Sequence, residues 1–492
     1  MGYKKDKMEV FFMERKMYGS IHTHFEDMYD TANDLKKMVK EFASLGSKKV
    51  ALTGHGSMFA YEDLKEIVAV LKEKKEIDED FEIIPGCEVY VTMDNLNESS
   101  KEDLDEENQS SNDFEKTGSR HMVLVAKNYE GYQDLCKVIS TASKNTKATK
   151  TKNEENEYLT PLVTLENLKE NIRKGNIFMT TACIGGIFGF DLGLIEHNLN
   201  EDVKKEERKF DQESYQKALD IVKEYQEQKE NPQNKKPTKA ERTKAAKLLD
   251  KGDESLFNEL EEREQNYTNY LSWKELHKAE YEKAKKDIKK YESRLEKIEE
   301  VKSILTSYQE TEADRWQYVK DEYEVLEDIF GKENIFFELQ NHGLEMEKTI
   351  FNNMIRLAYE VGNPNFIASN DIHIGDRKGS DTWKASVMKR RVEKYFRFKN
   401  IEISEDEEEY GIKTDEELKE SLMKIIDDYS LVDGTIIKKE EIIDKAIKNI
   451  ENSLQQCEIQ FQKIDVNGYN HYQKYSDTEP ELFEAVVIKG FQ

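Results

Sequence analysis

Apolar runs of strand length, separated by segments of helical spacing, constrain the fold of this chain more than any other feature. They fall at residues 17–24, 50–55, 83–91, 121–127, 177–183, 334–340 and 365–374. Between the first two, Leu35, Val39, Phe42 and Leu45 recur near helical spacing. After the second, Leu64, Ile67, Val68 and Leu71 line one face. Segments 132–142, 165–173 and 345–361 have the same character. Strands alternating with helices predict an α/β fold on a parallel sheet. Residues 95–120 and 143–158, rich in Asn, Ser, Thr, Lys and acidic side chains, read as long surface loops.

Between the fifth and sixth runs the composition changes. Glu and Lys dominate residues 201–327, and Tyr281, Ala284, Ile288, Tyr291, Leu295 and Ile298 follow a 3-4 spacing. That spacing is the seam of a coiled coil, with Phe210, Ala218, Ile221 and Tyr225 as its facing partners. The expected element is an antiparallel helical hairpin or small bundle; a thirty-residue arm would reach roughly 45 Å toward a partner protein. Helices are expected again over 414–426 and 440–457. The organisation is therefore 1–200 for the first part of the α/β domain, 201–327 for the insertion, 328–380 for the second part, and 381–492 for a C-terminal helical region.

The chain has 492 residues and a formal charge of -27, from 75 basic and 102 acidic side chains. Such a surface repels nucleic acid on average, so any phosphodiester must be held locally, through bound cations or a confined basic patch. No segment has the pattern of a signal peptide or membrane span. Cys87, Cys136, Cys183 and Cys457 are widely separated and form no CxxC pair, as expected of a reduced, cytoplasmic protein.

Potential metal ligands collect at the strand-like runs. The first ends in His22-Thr23-His24, where residues two apart in a strand point the same way and both imidazoles can converge on one cation. The second ends in His55, the third carries Cys87-Glu88, the fourth opens with His121, the fifth ends in Cys183, and the seventh ends in Asp371-Ile372-His373. Each alone has an ordinary structural explanation, such as a turn histidine or a small buried thiol. Barrels of parallel strands, however, gather working residues at the C-terminal ends of several strands. A mixed imidazole, carboxylate and thiolate set suits Zn, Mn or Fe, and the number of donors implies two or three clustered ions.

Together, His22-Thr23-His24, Thr53-Gly54-His55-Gly56, Gly86-Cys87-Glu88-Val89-Tyr90, His121-Met122-Val123, Cys183-Ile184-Gly185-Gly186, Phe337-Glu338-Leu339-Gln340-Asn341-His342-Gly343 and Asn370-Asp371-Ile372-His373 resemble the polymerase-and-histidinol-phosphatase (PHP) domain, in the version found in bacterial DNA polymerase III alpha subunits. The resemblance implies a distorted seven-stranded β/α barrel holding up to three divalent ions. It places the ligands on His22, His24, His55, Glu88, His121, Cys183, Asp371 and His373. A ninth falls on Asp30, with Asp27 as the alternative. Gly54 departs from the family's usual Asp, which puts the third ion's site in question. His342 is a candidate for touching substrate.

The implied function is metal-dependent phosphoric ester hydrolysis, with His22, His24, His55, Glu88, His121, Asp371 and His373 as catalytic groups. The expected reaction is nuclease cleavage of DNA in the manner of a 3′–5′ exonuclease. The alternatives are a phosphomonoesterase for a small metabolite, and a non-catalytic module that binds a partner through the coiled coil. No polymerase palm or fingers are recognisable, so polymerisation by this chain alone is not expected.

Overall fold

The computed structural model describes residues 15–25, 33–92, 119–150, 157–378, 380–383, 385–387 and 409–461. It divides into two compact units, 1–188 with 322–492, and 189–321.

In the first unit the apolar runs form one curled, mixed sheet. Its strands are β1 (Gly19–Ser20), β2 (Lys49–Leu52), β3 (Glu82–Thr92), β4 (Ser119–Ala126), β5 (Thr146–Lys150), β6 (Glu157–Val163), β7 (Ile177–Thr180), β8 (Ile335–Leu339) and β9 (Phe366–Ala368). The hydrogen-bonded path runs β1-β2-β3-β4-β7-β8-β9, with β6 beside β3 and β5 beside β6. Beyond the strand ends, Thr23 and Ile372 form a parallel bridge. The His24 N–H donates to the Ile372 carbonyl at 3.0 Å, and the Ile372 N–H to that of His22 at 3.2 Å. The sheet therefore curls until the segments following its first and last strands meet.

Two sequence expectations need correction. The sheet is not wholly parallel, because β4 runs antiparallel to both β3 and β7. Alternating apolar runs carry no mark of strand direction, and an antiparallel neighbour needs no crossover helix. The polar stretch 143–158 is not simply a loop either. Its Thr146–Lys150 segment pairs antiparallel with Glu157–Val163, a strand pair that its low hydrophobicity concealed.

Helices cover the outside of this sheet. In α1 (Leu35–Ser44), Met38, Val39 and Phe42 are buried, and Asp34 caps the start by accepting from the Lys37 N–H. In α2 (Ala60–Glu73) the buried positions are Tyr61, Leu64, Val68 and Leu71. Both faces join a core with Phe25, Val50, Leu52, Phe81 and Ile372, which anchors the strand ends carrying the histidines. Two further helices follow, α3 (Tyr129–Lys144) and α4 (Leu165–Asn171).

The second unit is helical: α5 (Ile195–Arg208), α6 (Gln212–Glu230), α7 (Lys239–Leu249) and the 56-residue α8 (Ser255–Glu310). At 1.5 Å per residue α8 is about 84 Å long, well beyond the thirty-residue arm expected. Glu207 pairs with Lys302 at 2.6 Å. The Phe210 and Tyr291 rings lie 5.9 Å apart, and Tyr225 stacks on Tyr281 at 3.9 Å. These pairs make α8 antiparallel to α5 and α6. Burial recurs along the expected seam, with Ala284 and Ile298 buried and Tyr281, Ile288, Tyr291 and Leu295 half-buried.

Back in the first unit, α9 (Glu345–Glu360), α10 (Asp415–Leu422) and α11 (Lys439–Gln455) complete the packing. The α11 residue Asn449 donates its side-chain N–H to the Phe366 carbonyl of β9 at 2.8 Å. Among the described residues, no helix is long and apolar enough to cross a membrane.

Candidate metal centre

His22 and His24 follow β1 on the same side of the chain and are fully buried. His22 Nδ1 lies 2.8 Å from Glu338 Oε1. Its Nε2 makes no hydrogen bond, yet points to where Asp371 Oδ1 (3.1 Å) and Glu88 Oε1 (3.8 Å) converge. A buried nitrogen aimed between two carboxylates without bonding to either is arranged as a cation ligand.

Asp371 Oδ1 has three imidazole nitrogens around it: His24 Nε2 at 3.0 Å, His22 Nε2 at 3.1 Å and His373 Nε2 at 3.2 Å. The residue sits in the left-handed region, φ +44°, uncommon outside Gly and most readily adopted by Asn, Asp and His. Glu88 is the second hub. His121 Nδ1 is 2.7 Å from its Oε1, and His55 Nδ1 is 2.8 Å from its Oε2. The bridge between His55 and Glu88 extends β2 alongside β3 and fixes that approach.

The charges reinforce one another. Burial works against ionisation of Glu88 and Asp371, but the surrounding histidines outweigh it and hold both carboxyls well below the usual carboxylate range. Burial likewise works against a proton on His22, but Asp371 and Glu338 raise it to about 10. At Cys183, burial and then the Asp371 and Glu88 charges push the thiol well above its ordinary value. Cys183 therefore becomes a thiolate donor only beside a cation.

The Cys183 turn is sterically specified. Ala182 is left-handed (φ +57°), and a Cβ on Gly186 would lie 1.8 Å from the Thr181 carbonyl oxygen. Gly186 bridges to His121, and Cys183 Sγ comes 3.7 Å from His121 Nδ1.

Three groups result, each with one donor atom per residue and all donors within 4.8 Å of one another: His24, His55 and His373; His22, His24 and Glu88; Glu88, His121 and Cys183. These groups hold seven residues, and Asp371, against His22, His24 and His373, brings to eight the expected ligands that meet in one place. The ninth, Asp30 or Asp27, lies outside the described residues. The donors fit borderline divalent cations such as zinc, manganese or iron.

Two residues were read differently from sequence. Glu338, seen there only as part of a motif, is fully buried and holds His22. Gln340 donates to its Oε1 at 2.7 Å, and the Thr180 and Ser369 hydroxyls also donate to it. An acidic residue inside the apolar run Phe336-Phe337-Glu338-Leu339 was the available signal. His342, a candidate for touching substrate, is buried and clasped instead. Its Nδ1 is 2.8 Å from Glu347 Oε1, its Nε2 is 2.9 Å from the Asn370 carbonyl, and its ring stacks on Tyr410 at 4.0 Å.

Residues 20–231, which supply most strands of this curled sheet and the histidines at their ends, match the PHP domain. The chain also has homology to the PHP region of DNA polymerase III alpha subunits. It is 32% identical over 216 residues to the Helicobacter pylori subunit, covering 44% of this chain and 14% of that protein. The Treponema pallidum subunit is 28% identical over 133 residues, 26% of this chain and 10% of that protein. The DNA-directed DNA polymerase of Bacillus phage SPbeta is 29% identical over 160 residues, 32% and 11% respectively. The chain thus spans about one seventh or less of these relatives. Asp371 and His373 lie beyond residues 20–231, and tertiary folding brings them to the cluster.

Proposed function

We propose that this cluster is the centre of a metal-dependent phosphoesterase that cleaves nucleic-acid phosphodiesters, in the manner of a 3′–5′ exonuclease. The observation carrying this reading is the convergence of three donor groups, linked by His24 between the first and second and by Glu88 between the second and third, an arrangement suited to adjacent cations on one phosphate. Divalent cations held by these donors would supply hydroxide near neutral pH and draw charge from the phosphoryl oxygens. The chain's own task is to hold the donors. Glu338 fixes the His22 ring, Glu88 bridges donor groups, and the Asn370–His373 turn delivers Asp371. His22 and His24 close the inner side, while the half-buried His55 and Cys183 mark the side where substrate enters. Local cations also reconcile a polyanionic substrate with a net charge of -27.

In the same reading, residues 1–200 and 328–380 form a PHP-type barrel, 201–327 a coiled-coil insertion for a protein partner, and 381–492 a C-terminal helical region. The four free cysteines suit the cytoplasm.

The complete burial of His22 and His24 favours a second reading, a closed centre that only holds the domain together. Turnover separates the two. Protein loaded with manganese or zinc is assayed on bis(p-nitrophenyl) phosphate, p-nitrophenyl phosphate and end-labelled single-stranded DNA. The expected result is diester cleavage that Asp371→Ala abolishes. Metal-replete protein with no turnover of any of the three would leave the structural reading standing.

A further inference from the structure

We propose that α7 and the turn leading into it form a contact for the phosphate backbone of nucleic acid, carried by the lysines of residues 235–251. The choice of nucleic acid as the polyanion rests on the function proposed above. In a chain of net charge -27, this stretch holds seven basic side chains against two acidic ones. Glu241 accepts from Arg263 of α8 at 2.9 Å, and Arg242 pairs with Glu264 of α8. Those two residues thus hold α7 to α8, and Asp250 is the remaining acidic side chain. Lys235, Lys236, Lys239, Lys244, Lys247 and Lys251 are all exposed. Among the described residues none of their ammonium groups takes part in an ion pair. The helical unit has a second basic run with different surroundings. Residues 283–297 carry seven basic and three acidic side chains, but α5 lies alongside and neutralises that end of α8. Glu206 is drawn to Arg294 and Lys297, and Glu207 pairs with Lys302 at 2.6 Å.

Local packing fixes which way the lysines face. Thr238 caps α7 by accepting from the Glu241 N–H at 3.3 Å. Pro237 and Ala245 are buried and Leu248 is half-buried, which turns Lys244 and Lys247 away from α8. Lys251 follows at the same spacing in the turn past the helix end. From Lys244 to Lys251 is roughly 10 Å, a length over which one strand of a duplex presents about three phosphates. The exposed apolar residue of α7, Leu249, lies four positions from Ala245 and so on the other face. The lysine row therefore lacks the apolar anchor that protein interfaces and membrane surfaces use. Lysine ammonium groups meet phosphates as point charges and read no bases. Along α8, about 70 Å separates Arg263 from Gln309, which donates to Glu196 of α5 at 2.8 Å. Acidic charge that far away is screened at ordinary salt.

The test titrates the full-length protein, in EDTA so that nothing is cleaved, into fluorescein-labelled single-stranded and duplex oligonucleotides and follows anisotropy. Combining Lys244→Ala, Lys247→Ala and Lys251→Ala should weaken binding roughly 10-fold or more. On the single strand it should flatten the dependence of log Kd on log salt by about 2. Alanine favours helix, so Tm should not fall. Combining Lys217→Ala, Lys223→Ala and Lys229→Ala on α6 makes the same change in net charge and should leave affinity within about twofold of wild type. Equal losses from the two triple variants overturn the proposal, as does wild-type affinity in the first. Binding to phosphatidylserine vesicles but to neither oligonucleotide also overturns it. Turnover of bis(p-nitrophenyl) phosphate in manganese reports on the metal centre separately, and the α7 variant should keep it. Lysine-dependent binding by a protein without turnover would sink the hydrolase reading alone, whereas turnover with lysine-independent binding would sink this inference alone.

Discussion

His22 and Glu338, 316 positions apart in the chain, are fully buried side by side, with His22 Nδ1 2.8 Å from Glu338 Oε1. The glutamate belongs to none of the donor groups, so its effect on a cation passes through the imidazole. Glu338→Gln should keep the fold and lower metal affinity roughly 10- to 100-fold, as loss of such partners does elsewhere. Chelator competition on purified protein measures this. An unchanged dissociation constant would show that the His22 ring needs no carboxylate behind it.

The clasp behind Asp371 is a second point of leverage. His342 Nε2 reaches the Asn370 carbonyl, and the Tyr410 carbonyl accepts the N–H groups of His373 and Ile374 at 3.0 and 3.1 Å. Asn370 donates in turn to the Gly411 carbonyl at 2.5 Å. His342→Ala should loosen the left-handed turn and reduce metal loading at Asp371 and His373, although His342 is in no donor group. Metal content after gel filtration, compared with wild type, is the readout. Full loading would mean the turn is held without the clasp.

Gly186 tests the steric side of the centre. A methyl group there would fall 1.8 Å from the Thr181 carbonyl oxygen, a backbone atom that cannot swing away. Gly186→Ala is expected to cost about 3 kcal/mol or more, and to displace Cys183. Denaturant unfolding measures the first effect. The second appears as loss of the cobalt–thiolate absorption.

Removing metal should lower stability even though the cation-free cluster pairs carboxylates with histidines. A cation present at 100 times its dissociation constant contributes about 2.7 kcal/mol to the folded state. EDTA should therefore lower Tm, and added zinc or manganese should restore it. No shift with EDTA, in protein shown to contain metal beforehand, would speak against this.

Asp415 gives the pH dependence. Burial raises its carboxyl to about 6, aided by Glu451 and opposed by the Tyr18 N–H and Arg15, against about 3.9 in a free chain. The folded state therefore binds this proton more tightly than the unfolded state does. The group's stabilising contribution is complete below about pH 3.9 and is lost as pH rises through about 6. Asp415→Asn keeps an oxygen for the Tyr18 N–H, 2.9 Å away in the wild type. It should match wild type near pH 4 and exceed it by roughly 1 kcal/mol at pH 7.5, a figure reduced for solvent screening at a partly exposed site. Denaturant curves at the two pH values decide, and an equal difference at both would show the carboxyl ionised throughout.

The strand and helix segments were legible because their signals are local. Residues two apart face one side of a strand, and residues three or four apart one side of a helix. The buried pattern of α1 and the recurring burial along α8 follow directly from that spacing. The ligand candidates were legible for a related reason, since imidazole, carboxylate and thiol side chains recur at the ends of apolar runs. Strand direction was not legible. The antiparallel course of β4 depends on pairing with two neighbours, and its side-chain alternation is the same in either direction. Nor could spacing show that Glu338 braces His22 while His342 braces the Asp371 turn. Those roles depend on which buried polar atoms are left facing one another once distant strands have closed into a single sheet.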